Sequence, residues 1–135
     1  MKIKSLFPIL LFEIIIVGVL QIIPVNINTE LLVTNSNFIF GLIKSNEIAI
    51  VLLLLFLVFY IYYTAKSKKI VFTLADISLV AGVTSNLLDR IFRGGATDYI
   101  SISSFPTYNI ADILIVIGII VLGISYISKP EKLQP

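Results

Sequence analysis

Carboxylates are the residues of this sequence best suited to chemistry. Three of the eight acidic residues and both arginines lie between Asn86 and Asp112, in a chain that is otherwise largely apolar. Within that stretch, Asp98 and Asp112 flank a short connection. Two carboxylates brought together at the edge of a hydrocarbon region cannot both ionise cheaply, so one keeps its proton. Such a pair holds one acid and one base around a water molecule, the arrangement with which aspartic proteases hydrolyse amides.

Missing residue types narrow the chemistry further. The sequence contains no cysteine and no histidine. Cysteine nucleophiles, Ser-His-Asp triads and zinc or haem held by histidine or cysteine are therefore excluded. We expect no cofactor and no metal, and a net charge of only +2 gives no indication of a nucleic-acid partner.

The same residues also have a purely structural interpretation. Asn109 is a good N-cap, and Asp112 three residues later would complete a variant of the capping box. Asp89 and Arg93 are spaced to pair at a helix end. If the carboxylates do form a pair, the helix N-terminus would favour ionised Asp112 and leave the proton on Asp98. On the residues alone, both interpretations stay open.

The elements that must position these residues are those of a membrane protein. Of the 135 residues, 58% are hydrophobic and only 13% are charged, and the mean hydropathy is +1.05. Soluble domains are about half apolar and carry about a quarter charged residues. We therefore predict an all-α integral membrane protein, formed as a single domain over residues 1–135.

Four apolar stretches are long enough to cross a bilayer, which needs roughly twenty residues per helix. The predicted spans cover about residues 5–23, 48–65, 70–88 and 110–127. The basic start and first apolar run could form a cleavable signal peptide. Because Glu13 interrupts that run and no small-x-small pattern follows, we expect an uncleaved helix. Small residues recur along the last two spans and predict helix-packing stripes: Ala75, Ser78, Gly82 and Ser85 in the third, and Ala111, Gly118 and Ser125 in the fourth.

Two segments between the spans predict a small platform that contains β-strands. Residues 25–28 alternate apolar and polar side chains, residues 31–34 could form another strand, and residues 96–104 alternate again. The distribution of lysine and arginine sets the orientation. Seven lysines lie on one side of the membrane, against Lys44, Arg90 and Arg93 on the other. Both termini are therefore expected in the cytoplasm, with the platform and its carboxylates at the outer face.

Several short motifs then occur in a characteristic order. Asn86-x-x-Asp89-Arg90 is followed by Gly95-x-x-Asp98-Tyr99, then by Phe105-Pro106 and Asn109-x-Ala111-Asp112, and Asn35-Ser36-Asn37 precedes them. This order, together with the four spans, resembles the lipoprotein signal peptidases (signal peptidase II), which are four-helix bacterial membrane aspartic proteases. The sequence departs from the family pattern at Ile14, Val17 and Asn37, which stand where glutamine, lysine and glycine are expected.

The resemblance implies a function and a role for each residue. Asp98 and Asp112 would be the catalytic dyad. Asn86, Asp89, Arg90 and Asn109 would orient the dyad and the substrate backbone, and Asn35 would join them from the outer loop. The substrate would be a bacterial prolipoprotein whose cysteine carries a diacylglyceryl group, cut just before that cysteine. The enzyme would lie in the cytoplasmic membrane, with membrane lipid around it.

Two other functions stay open. A non-enzymatic four-span transporter or channel subunit could use Glu13, Asp76 and the outer acids as a proton or cation path, because an ionisable group inside a membrane is costly to keep without a use. A divergent homologue could instead bind lipoprotein precursors without cutting them.

Overall fold

The computed structural model describes residues 3–38, 41–66, 74–103 and 105–128. Its four helices are α1 (Ile3–Ile22), α2 (Asn46–Lys66), α3 (Leu74–Arg93) and α4 (Ile110–Ile127). Two short strands, β1 (Val33–Asn35) and β2 (Ala96–Asp98), pair antiparallel in the order β1-β2. The predicted mostly helical fold with a small strand-containing platform is confirmed.

Within the described residues, two helices are long and apolar enough to cross a membrane. They are α2, over Asn46–Thr64, and α4, over Ile110–Ile127. The apolar stretch that includes most of α1, Leu11–Asn26, is shorter, and α3 carries four charged residues. The first four residues of the third predicted span, 70–73, lie outside the described residues. That all four helices cross the membrane therefore stays a prediction.

Helix α3 is the centre of the bundle. It packs against α1, α2, α4 and β2, which explains why its small residues lie on a buried face. Gly82 lies directly against the backbone of α4 at Ala111, and Gly118 of α4 lies against Ala75 and Leu79 of α3. The predicted packing stripe is therefore confirmed at these residues. The prediction was wrong for Ser125, which is exposed and whose hydroxyl donates to Val121 O one turn earlier.

The end of α3 lies five residues beyond the predicted end at Leu88, at Arg93. The positive charges of two arginines in the last turn interact favourably with the negative end of the helix dipole, and Arg93 pairs with Asp89 one turn earlier. Gly94 then ends the helix at a φ of 78°, a left-handed conformation that glycine adopts without strain. The longer helix carries Asp89 and Arg90 into the packed part of the molecule.

The prediction of a strand over residues 25–28 was wrong. Pro24–Asn26 and Thr29–Leu31 form short 3-10 turns instead. Pro24 fixes a helical φ at the first position, and Asn28 Oδ1 accepts from the Glu30 amide in a local turn. The second predicted strand is displaced by one or two residues, to β1. The third is shorter than predicted: β2 ends at Asp98, and one isolated bridge joins Ile100 to Tyr108.

Candidate active site

Asp98 is the last residue of β2 and the most deeply buried acidic side chain described, with 2% of its surface exposed. Its two carboxylate oxygens accept from two different side-chain amides. Asn35 Nδ2 donates to Oδ2 and Asn109 Nδ2 donates to Oδ1, each over 3.0 Å. Asn35 is opposite Ala96 in the β-ladder, and Asp98, two residues further along, projects from the same face of the strand. The pairing of β1 with β2 therefore brings Asn35 to Asp98.

Asp112 lies in the first turn of α4, where the predicted capping box is present. Asn109 Oδ1 accepts from the Asp112 amide over 3.0 Å, and Asp112 Oδ2 accepts from the Asn109 amide over 3.1 Å. The other oxygen, Oδ1, accepts from Asn86 Nδ2 over 2.7 Å. The structural role of Asp112 is thus present, and it leaves one carboxylate oxygen directed towards the buried amides.

Asn109 joins the two carboxylates. Its Nδ2 group donates to Asp98 Oδ1 and to Asn86 Oδ1, both over 3.0 Å, while its backbone amide donates to Asp112. Asn109 and Asn86 are themselves buried. Asp98 and Asp112, which lie 14 positions apart in the sequence, therefore belong to one hydrogen-bonded network.

The environment of Asp98 favours its protonated form. Burial raises the pKa of Asp98 to about 6, and the neighbouring Asp112 carboxylate acts in the same direction. The amides of Asn35 and Asn109 and the charge of Arg90 oppose this rise without cancelling it. The shift in pKa is in the direction expected for the member of a pair that holds the proton, and the assignment of that proton to Asp98 stays a prediction.

Arg90 fixes the segment that follows β1, residues 36–38, rather than a carboxylate. Its guanidinium donates to the carbonyl oxygens of Asn37 over 2.7 Å and Ser36 over 3.4 Å, and to Asn46 Oδ1 over 3.2 Å. The Phe38 ring lies 5.3 Å from the guanidinium carbon, within reach of a cation–π contact. Because residues 36–38 directly follow Asn35, Arg90 holds the end of β1 in place.

Asp89 supports β2. One of its oxygens pairs with Arg93, and Oδ2 accepts from the Thr97 amide over 2.9 Å. Thr97 directly precedes Asp98, so this bond fixes the strand that carries the buried aspartate. Asp89 is connected to Asp98 through the backbone of β2, with no direct contact between the two carboxylates in the described hydrogen bonds.

A small, shallow pocket lies between the end of α1 and this network. Its lining combines apolar and polar side chains: Leu20, Pro24, Ser85, Asn86, Asp89, Thr97, Tyr99, Asn109 and Ala111. Within the described residues, no group of three or more acidic side chains is arranged to hold a metal ion.

Comparison with known proteins identifies the family. The profile of the family described as Signal peptidase (SPase) II matches residues 6–128. The chain belongs to the signal peptidase II family. The resemblance predicted from the motifs is thereby confirmed.

Individual relatives support the same family. The chain is 33% identical over 110 residues to the lipoprotein signal peptidase of Rickettsia prowazekii, a match that covers 74% of this chain and 56% of that one. It is 37% identical over 83 residues to that of Rickettsia conorii, which covers 58% of this chain and 41% of the relative. The chain thus spans about half the length, or less, of these curated relatives.

Two solved structures, each described as a bacterial membrane enzyme, have the same fold. One superposes with a TM-score of 0.72 at 21% identity, covering 98% of this chain and 96% of the other. The second gives a TM-score of 0.70 at 22% identity, covering 95% and 96%. The arrangement of α1–α4 and the β1-β2 platform is therefore the fold of these membrane enzymes.

Three residues that hold this site together were not predicted as site residues, although Tyr99 is part of the Asp98-Tyr99 motif. Gln21 Nε2 donates to Ser85 O and Oγ, Asn46 Nδ2 donates to Arg90 O, and Tyr99 OH accepts from the Ile110 amide. For Gln21 a signal existed, because it is an uncharged amide near the end of an otherwise apolar helix. For Asn46 and Tyr99 no local pattern indicates the partner.

Proposed function

We propose that this protein is an aspartic endopeptidase that removes signal peptides from diacylglyceryl-modified prolipoproteins, cutting just before the lipidated cysteine. The observation that carries the proposal is the network in which Asn109 donates to both Asp98 and Asp112. Family membership supplies the class of substrate, and membrane lipid is the second expected partner.

The different environments of the two aspartates give them different roles, one as base and one as acid. Asp112, at a helix N-terminus with two N–H donors, serves as the ionised base. Asp98, whose pKa burial raises to about 6, serves as the acid. Water attacks the scissile carbonyl carbon and gives its proton to Asp112, while Asp98 protonates the carbonyl oxygen. The C–N bond then breaks, the proton on Asp112 passes to the leaving amine, and Asp98 recovers its proton.

The remaining site residues orient this pair. Asn35, Asn86 and Asn109 supply amide donors that fix the carboxylate oxygens. Asp89 holds β2 and Arg90 holds the outer loop.

The protein forms one domain over residues 1–135 that crosses the bacterial cytoplasmic membrane four times. Both termini lie in the cytoplasm and the dyad lies at the outer face. The asymmetry of seven lysines against Lys44, Arg90 and Arg93 supports this orientation. The exposed apolar side chains along α2 and α4 provide a surface for lipid.

Cleavage of a defined precursor tests the proposal. The purified protein is reconstituted in lipid vesicles with a diacylglyceryl-modified prolipoprotein, and the released peptide is identified by mass spectrometry. The same precursor without the diacylglyceryl group is the matched substrate control. We expect cleavage of the modified precursor, with the new carboxyl terminus directly before the cysteine.

Three outcomes would contradict the proposal. If the modified precursor stays intact under conditions where a known family member cleaves it, the protein is not an active peptidase on this substrate. Binding of the precursor without cleavage identifies the non-cutting homologue instead. Cation or proton flux through the same vesicles, lost on substitution of Glu13 or Asp76, would favour the transporter or channel subunit. Tyr60 OH donates to Asp76 between α2 and α3, so a path through Asp76 would have to break that contact.

A further inference from the structure

A chain of contacts connects the end of α1 to the strand that carries Asp98. Arg93 Nη1 donates to Gln21 Oε1 over 3.0 Å, and Arg93 Nη2 donates to Gln21 O over 3.2 Å. The same arginine pairs with Asp89, and Asp89 accepts from the Thr97 amide. The chain therefore runs from the last turn of α1, through two side chains of α3, to the residue before Asp98.

Each of these contacts pairs a polar or charged group that would lower the stability of the fold if it were left without a partner. Gln21 O belongs to the last turn of α1, whose carbonyl oxygens have no partner within the helix. Asp89 is 5% exposed, and a buried carboxylate needs a compensating charge. Arg93 meets both needs at once, because its side chain reaches from one helix to the other. Gln21 in turn donates to Ser85 O over 3.1 Å and Ser85 Oγ over 3.0 Å, which holds its acceptor oxygen towards Arg93.

We propose that Arg93 and Gln21 are positioning residues that keep the Asp89 carboxylate directed at the Thr97 amide and so hold Asp98 in the network that Asn109 joins. The effect on catalysis rests on the proposed function, because it acts through the dyad. Neither side chain touches the dyad itself, so neither is a catalytic residue.

Without Arg93, the charge of Asp89 would be uncompensated beside the dyad. Of the described residues, the charged groups that act on Asp98 are Asp112 on α4 and Arg90 on α3, while Asp89 contacts the residue before Asp98, Arg93 pairs with Asp89, and Tyr99 directly follows β2. Helix α1 contributes the uncharged Gln21 at this end, and β1 contributes uncharged side chains. An uncompensated negative charge would make Asp98 hold its proton more tightly. The fall of activity at high pH would then occur at higher pH in Arg93→Gln than in wild type.

The first experiment measures the pH dependence of precursor cleavage in reconstituted Arg93→Gln, Arg93→Lys and Lys44→Gln. Lys44 is an exposed cation and is the matched control for loss of one positive charge. We expect Arg93→Gln to lower kcat about tenfold with KM little changed, since one charge-assisted contact is lost. Arg93→Lys should restore most of the pH profile because it keeps the charge. The double variant Asp89→Asn/Arg93→Gln should return the alkaline limb towards wild type.

A second experiment tests the geometry without any activity. Hydrogen exchange of the peptide that spans residues 96–99 should be faster in Arg93→Gln and in Gln21→Leu than in wild type, and unchanged in Lys44→Gln. If wild type fails to cleave the precursor, the proposed function fails while this exchange experiment still tests the positioning chain. The proposal would be overturned if exchange in Arg93→Gln and Gln21→Leu, and the pH profile of Arg93→Gln, all matched those of Lys44→Gln.

Discussion

Gly82 offers a sharp test of how α4 positions Asp112. An alanine Cβ at this position would lie 2.5 Å from Ala111 O and 2.8 Å from Ile115 Cγ1. Ordinary van der Waals contact begins at 3.4 Å, so the first turn of α4 must retreat by roughly 1 Å to accept the methyl group. Asp112 follows Ala111 directly and would move with it.

The expected cost follows from that displacement. Overpacking of this kind costs about 1–3 kcal/mol of stability, and a misplacement of about 1 Å can lower the rate about 10²-fold. We expect Gly82→Ala to lower kcat for precursor cleavage by about that factor. The assay is cleavage in lipid vesicles, with thermal unfolding followed by circular dichroism on the same samples.

Two other glycines provide matched controls. At Gly118 a Cβ would lie 2.8 Å from Leu79 Cβ and 2.9 Å from Ala75 O, in the same interface but about 9 Å further along α4 from Asp112. Gly118→Ala should therefore lose stability with a smaller loss of rate. At Gly123 no atom lies within 4 Å of the new Cβ, so Gly123→Ala should retain both. If the Gly82→Ala variant has the same cleavage rate and stability as the Gly123→Ala variant, the reasoning is refuted.

Three further predictions concern the same network. Because burial raises the pKa of Asp98 to about 6, the folded protein binds more protons than the unfolded chain between pH 4 and 6. The free energy of unfolding and the cleavage rate should therefore both fall as the pH rises through about 6. Unfolding and cleavage measured as a function of pH test this, and a flat profile would contradict it. Asn109→Ser keeps a capping oxygen but removes the amide donor to Asp98 and Asn86, so we expect a stability loss of about 1–3 kcal/mol from the unpaired buried acceptors. We also expect kcat to fall about tenfold or more, and an unchanged rate would show that the donor is dispensable. Arg90→Lys cannot reproduce the forked contacts to residues 36–38, so we expect a lower thermal midpoint and a cleavage rate close to that of Arg90→Gln, whereas full rescue by lysine would mean that charge alone matters.

Much of this architecture follows from residue types and spacing. Helix α4 occupies the predicted 110–127, because a capping asparagine marks its start and its apolar run is uninterrupted. Close packing of α3 and of α4 through faces of small residues followed from Gly82 and Gly118, since small residues at helical spacing permit backbone contact, but the sequence did not say that these two helices would pack on each other. The capping box at Asn109 and Asp112 was likewise readable from local sequence.

The remaining features depend on contacts between distant segments. The donor from Asn35 to Asp98 joins residues 63 positions apart, and no local pattern specifies such a pairing. The same holds for Gln21 and Arg93, whose contact spans 72 positions. Residues 25–28 had the alternation of a strand, but Pro24 and the Asn28 turn favour local hydrogen bonds. Alternation predicts a strand only where a partner strand is available to pair with it.

The central claim is that Asp98 and Asp112 act as one catalytic unit. Its most direct measurement is the kcat of Asp98→Asn, Asp112→Asn and the double variant on the diacylglyceryl-modified precursor, with Glu30→Gln as an exposed acidic control on the same platform. Residues that act as a unit are strongly non-additive. We predict that each single substitution lowers kcat by about 10³-fold or more, that the double variant is no slower, and that Glu30→Gln matches wild type. Cleavage near the wild-type rate by either single variant would contradict the account.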